Sequence, residues 1–206
     1  MIRLYSYWRS SCSYRVRIAL NLKGIRYDYE AVNLLKDEHA SDEFMTKSPM
    51  CQVPALEIDG WVLHESLAII EYLEETRPNG PLLPSDPYLR SVARRQALLI
   101  AADVQPVQNL RVIRKQTGDQ KEWIVHFITL GFTALEKDVK QTAGRYCVGD
   151  NVTIADICLI PQVYNARRFG IDMTQFPTLN RIASALESID AFAKAHPDRQ
   201  PDAVKA

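Results

Sequence analysis

The sequence predicts an α/β N-terminal domain followed by an all-α C-terminal domain. Three observations predict it. Short strand-like runs alternate with helical stretches only within the first 76 residues or so. Prolines then stand at 78, 81, 84 and 87, a spacing that excludes helix and reads as an extended linker. From Tyr88 onward strand signals vanish and long helical patterns take over. The expected domains are therefore 1–80 and 88–206, joined by a proline-rich linker over 81–87.

Taken in order, Ile2 to Tyr5 is a short apolar strand. Ser10-Ser11-Cys12-Ser13 then opens a helix that Gly24 ends. A hydroxyl or thiol in a first helical turn sits where negative charge is favoured, the usual setting of a stabilised thiolate. The stretch suits an anionic sulfur, either Cys12 or one brought by a ligand. The plain alternative is a helix cap, although one cap does not need four such residues in a row. Tyr27 to Asn33 predicts a second strand and Lys36 to Lys47 a short, loose helix. Val53 to Ile58 is a strand with Pro54 at its entry, where proline is tolerated. A cis Val53–Pro54 bond there presents the backbone of Val53 to a ligand. Asp59-Gly60 is a two-residue hairpin turn, Trp61 to Leu63 the returning strand, and Glu65-Ser66 the cap of a helix over 67–76.

That order, β-α-β-α-β-β-α, resembles the thioredoxin-like layout. Beyond the linker, 89–115 and 122–141 predict long helices, with a loop over 142–152. Pro106 and Pro161 are expected to kink theirs. Thr153-x-x-Asp156 is a capping box with a structural role. Residues 178–188 and 191–195 supply the last helices.

The 25 Lys and Arg balance 25 Asp and Glu, so no basic field points to nucleic acid. No apolar run approaches the roughly 18 residues that span a membrane. No signal peptide is expected, because the opening strand is not followed by an apolar h-region. The four cysteines, Cys12, Cys51, Cys147 and Cys158, form no disulfide framework, so a reducing, cytoplasmic setting is expected. The four histidines are scattered without metal-ligand spacing, and no metal is expected.

The run Ser10 to Leu20, Ser-Ser-Cys-Ser-Tyr-Arg-Val-Arg-Ile-Ala-Leu, closely resembles the signature of the zeta-class glutathione transferases, the maleylacetoacetate isomerases and bacterial maleylpyruvate isomerases. Residues 65–75, Gln105 to Asn109, Tyr146 to Asp150 and His196 to Asp202 resemble the same class, so the similarity covers essentially the whole chain. It implies a glutathione transferase fold, with a helical domain that contributes the acidic-substrate site.

The resemblance also implies roles. Ser10, Ser11 and Cys12 surround the sulfur of glutathione, the cofactor. The Val53 backbone pairs with its cysteinyl part, Glu65 takes the γ-glutamyl ammonium and Ser66 the carboxylate. His39, Gln105, Asn109 and Arg111 meet the remaining polar ends, although His39 reads equally as a surface histidine and Glu65-Ser66 as a simple cap. The class's substrates are dianionic diketo acids with a cis double bond, and Arg9 and Arg168 match positions that take their carboxylates. Arginine suits that task because it binds carboxylate bidentately. Which of Arg167 and Arg168 faces a site is left open by the sequence, as is the choice between maleylacetoacetate and maleylpyruvate.

The implied activity is cis–trans isomerisation, which needs no net redox change: glutathione adds, the bond rotates, and elimination returns the cofactor. Side transfer of glutathione to small α-halo acids is expected, as is a homodimer. Two other readings stand beside this one. Cys12 could form a mixed disulfide in a thiol transferase. A non-catalytic member of the fold should have lost the Ser-Ser-Cys stretch, which is intact.

Overall fold

A computed structural model describes residues 1–204. The chain divides into two compact units, Met1–Gly80 with the segment from Asp190 onward, and Pro81–Ile189.

In the first unit β1 (Arg3–Ser6) leads to α1 (Ser11–Leu22), β2 (Asp28–Ala31), α2 (Asp42–Met45), the hairpin β3 (Ala55–Ile58) and β4 (Trp61–His64), and α3 (Ser66–Thr76). The sheet order is β2-β1-β3-β4. β1 runs parallel to β2 and antiparallel to β3, with Leu4 opposite both Tyr29 and Leu56. The central strands are buried on both faces, so β1 reads Leu-Tyr-Ser without an exposed residue. The edge strands β2 and β4 are mostly exposed. Asp59 and Gly60 both take positive φ, 54° and 83°, as a hairpin turn matched to strand twist requires. This is the thioredoxin-like α/β arrangement. The expected helix over 36–47 is not continuous. It is two 3-10 turns, Leu34–Lys36 and Glu38–Ala40, and then the four-residue α2. Asp37 between the turns is left-handed (φ 55°), and a left-handed residue ends a right-handed helix.

The second unit is helical: α4 (Pro87–Leu98), α5 (Leu110–Ile113), α6 (Gln120–Val139), α7 (Ile154–Arg168) and α8 (Pro177–Glu187). Two expectations are corrected. Pro87 belongs to α4, not to a linker, because Asp86 caps the helix through Leu89 N–H (2.8 Å). Proline is tolerated at that first position, where its missing N–H is no loss. The helix expected over 89–115 breaks after Leu98 into a π-helical stretch, Leu99–Val104, and a 3-10 turn, Pro106–Gln108. Pro106 cannot donate to the ladder, and Val104 fills the space that a Cβ on Gly131 of α6 would occupy. Pro161 lies inside α7 without ending it, in a helix buried along nearly its whole length. The Thr153 box is structural, as expected: Asp156 accepts from Thr153 N–H (2.8 Å) and Cys147 N–H (2.9 Å).

The last helix, α9 (Asp190–Ala195), is expected from its sequence position in the second domain and packs instead on α1. Arg17 Nε donates to Ala195 O (3.0 Å) and Asn21 Nδ2 to Ala191 O (3.0 Å). Two polar side chains of α1 find their acceptors in the C-terminal segment, a pairing that helical periodicity cannot show.

Candidate active site

Ser10 is the N-cap of α1 in extended conformation (φ −69°, ψ 119°), and its Oγ accepts from Ser13 N–H at 3.2 Å. The cap reading is therefore correct for Ser10, and it leaves the hydroxyl proton free to donate elsewhere. Ser11 is buried in the first turn and Cys12 half-buried beside it.

One turn further, Arg15 lies in the interior with 2 % of its surface exposed. Its Nη1 donates to Ser66 Oγ at 3.2 Å and stands 3.8 Å from Cys12 Sγ. Its Nε and Nη2 are buried with no hydrogen-bond partner. One guanidinium thus bridges the first turns of α1 and α3, each of which already carries a helix's positive end. A buried cation with unused donors is costly unless an anion joins it.

Glu65 makes no capping bond to α3. Its backbone holds φ 67° and ψ 111°, a strained conformation for a non-glycine residue, with the side chain exposed. Strain of this kind collects where a ligand is clamped. The Val53–Pro54 peptide is cis. His39 lies in the Glu38–Ala40 turn, half-buried, with Nδ1 lacking a partner. The Arg9 guanidinium lies over the Trp8 ring at 4.5 Å.

In the second unit Gln105 is buried and donates to Asn109 Oδ1 at 2.7 Å. Gln108 ties this segment to α7, accepting from Gln162 (3.2 Å) and Asn165 (3.3 Å). Arg111 is exposed on α5. The neighbouring arginines, both exposed, make different contacts. Arg167 pairs with Glu187, whereas the Arg168 guanidinium rests on the Phe169 ring at 4.4 Å. Arg168 also stands three residues beyond Asn165, on the same helix face.

Cys147 and Cys158 are buried, and burial pushes the Cys147 thiol well above its ordinary value. Among the described residues no group of three or more His, Cys, Asp or Glu side chains could hold a metal. No helix among them is long and apolar enough to cross a membrane. The sequence reading missed Arg15 and the strain at Glu65. The first left no local signal, since α1 carries a second arginine, Arg17, two residues on. The second left none either.

A thioredoxin-like sheet, with a buried arginine at the starts of α1 and α3, together with an all-helical unit, is the plan of the glutathione transferases. Residues 9–76 match the family model of the glutathione S-transferase N-terminal domain. The maleylacetoacetate isomerase of Rattus norvegicus is 55 % identical over 203 residues, 97 % of this chain and 94 % of that protein. A bacterial maleylpyruvate isomerase of the zeta class superposes with a TM-score of 0.94 at 42 % identity, covering 98 % and 100 % of the two chains. The maleylacetoacetate isomerase of Anaeromyxobacter dehalogenans, solved with glutathione in its active site, gives 0.90 at 47 % identity over 99 % and 98 %. The same protein has been solved with dicarboxyethyl glutathione and citrate bound, at a TM-score of 0.89, 45 % identity and coverages of 100 % and 98 %. This chain belongs to the maleylacetoacetate isomerase family, the zeta class of those transferases.

Proposed function

We propose that this protein is a glutathione-dependent cis–trans isomerase of maleyl diketo acids, turning maleylacetoacetate into fumarylacetoacetate or maleylpyruvate into fumarylpyruvate. The observation that carries the reading is the buried Arg15, with two idle donors, between Cys12 and Ser66. These residues fit glutathione, an anionic peptide with a thiol. Bound glutathione supplies a thiolate that adds reversibly to the conjugated double bond, which then turns as a single bond.

The chain's own residues do the rest. Ser10 donates to the sulfur, with Ser11 and Cys12 beside it, in the positive field of the α1 N-terminus. Ser66 and Arg15 hold the γ-glutamyl carboxylate, and the exposed Glu65 takes the ammonium. The Val53 backbone pairs with the cysteinyl part, while His39, Gln105, Asn109 and Arg111 take the remaining polar ends. Arg9 and Arg168 hold the substrate carboxylates. The relative solved with dicarboxyethyl glutathione and citrate supports a site for dicarboxylates. Small α-halo acids are expected side substrates, since the same thiolate and arginines serve them. We place the protein in the cytoplasm as a homodimer.

A second reading, a thiol transferase acting through Cys12, has one observation in its favour: an Arg15 nitrogen stands 3.8 Å from its Sγ. Single mutants separate the two in assays on maleylacetone, maleylacetoacetate and maleylpyruvate, beside a disulfide-reduction assay. Ser10→Ala should lose about 100- to 1000-fold in isomerisation, the usual cost of removing a donor to a developing anion. Cys12→Ala should keep most of it. The reverse order would overturn the isomerase mechanism. Arg168→Ala should lose roughly 10- to 200-fold in kcat/KM on dicarboxylates, the worth of a charged hydrogen bond, with glutathione affinity unchanged. Arg167→Ala should be mild, and a large loss there would move the assignment by one residue.

A further inference from the structure

The run His196 to Asp202 takes no part in the chemistry above, yet it meets the backbone that carries Ser10. Asp202 Oδ2 accepts from Trp8 N–H at 3.0 Å, and Oδ1 accepts from Tyr29 OH at 2.6 Å. From the other side the fully buried Arg17 donates to Trp8 O (3.0 Å) and Tyr7 O (3.4 Å), while its Nε holds Ala195 O (3.0 Å). Trp8 belongs to neither β1 nor α1, so no strand or helix ladder sets its conformation. Its N–H and C=O are instead fixed by side chains, one in the C-terminal segment and one clamped to that segment.

The segment is itself ordered. Gln200 Nε2 closes it by donating to Lys194 O (3.0 Å) and His196 O (2.8 Å). The His196 ring meets Tyr14 of α1 edge-on, and Ala203 packs on the cluster that contains Tyr7 and Trp8. Burial, and then the bond to Asp202, push the Tyr29 phenol above its ordinary value, so it stays a donor. The two residues directly after Trp8, Arg9 and Ser10, carry the chemistry. The Arg9 guanidinium rests on the Trp8 ring, and Ser10 N–H donates to Tyr7 O at 3.0 Å.

We propose that the C-terminal segment is a latch on the loop before α1, and that Asp202 is a positioning residue acting through Trp8 on Arg9 and Ser10. The inference rests on the isomerase reading for what Arg9 and Ser10 do. A charge-assisted bond to one backbone amide is a directional restraint. A misplacement of about 1 Å at reacting groups costs on the order of 100-fold in rate.

The test compares Asp202→Ala and Asp202→Asn with Asn21→Ala. The asparagine keeps an acceptor for Trp8 N–H. Asn21→Ala removes the anchor on Ala191 O and leaves the loop untouched. All are assayed on maleylacetone with glutathione, at a temperature where circular dichroism shows them folded. Amide hydrogen exchange is read at residues 8–10. Asp202→Ala should lose about 10- to 100-fold in kcat and exchange faster at those amides. Asp202→Asn should recover part of both, and Asn21→Ala should stay within about twofold of wild type. Wild-type kcat in Asp202→Ala, or a lost kcat with unchanged exchange at residues 8–10, would overturn the latch. Equal losses in Asn21→Ala would also overturn it, by showing that any loosening of the segment has the same effect. If the wild-type protein isomerises no maleyl compound, the functional reading fails alone. Exchange at residues 8–10 then decides the latch.

Discussion

Arg15 is a charge held out of water with two of its N–H groups unused. Burying an ionised group without full pairing costs several kcal/mol in general, so its retention asks for a ligand that completes it. The consequence is a conflict between stability and binding at one residue. Arg15→Met should leave the melting temperature of the ligand-free protein unchanged or higher, because an apolar side chain of similar length removes the desolvation cost. The same variant should weaken glutathione binding by about 10- to 100-fold, the worth of a charged hydrogen bond. Differential scanning calorimetry and titration calorimetry read the two effects separately. Unchanged affinity would remove Arg15 from the anion seat. Cys12 and Ser66, on which the residue rests, were legible from their place at two helix starts. Arg15 was not, because nothing local distinguishes an arginine that points to solvent from one that crosses to another helix.

At the scale of elements, helix ends far apart in sequence are completed by one another's side chains. α8 begins at Pro177 without a side-chain cap from its own N-cap residue. Glu136 of α6 supplies the missing acceptors, taking Thr178 N–H at 3.1 Å and Leu179 N–H at 3.0 Å. Burial alone would raise the Glu136 carboxyl, but the hydrogen bonds from Leu179 and Thr178 and the nearby Lys140 outweigh it, and the carboxyl lies below its ordinary 4.5. A depressed carboxyl contributes stability that is present above the unfolded value and is lost as pH falls through the folded one. Wild-type stability should therefore decline as pH drops from about 4.5 downward. Glu136→Gln should cost about 1–3 kcal/mol at pH 7 and flatten that acid limb. Urea unfolding at pH 7 and along a series down to pH 3 tests it, and a mutant with the wild-type pH slope would refute the assignment. The sequence shows α6 and α8 as helices, but which carboxylate caps which helix is a matter of packing.

For the whole molecule, balanced charge and ordinary hydropathy leave assembly to surface shape, and the proposal of a homodimer is checked by sedimentation. About twice 23.5 kDa is expected at micromolar concentration, and a clean monomer would sink it. Periodicity and turn chemistry sufficed for the α/β unit, its hairpin and the helical character of the remainder, because each is written in neighbouring residues. The run Ser10 to Leu20 carried the resemblance to its family. What only the tertiary structure decided are pairings across long stretches of chain. It put α9 on α1 and not in the helical unit, Arg17 on Ala195 O, Asp202 on Trp8 N–H and Arg15 on Ser66. The reason is physical. A strand or a cap satisfies its backbone groups within a few residues and so leaves a local pattern. A buried arginine or aspartate finds its partner wherever folding brings one, and composition and spacing carry no trace of that distance.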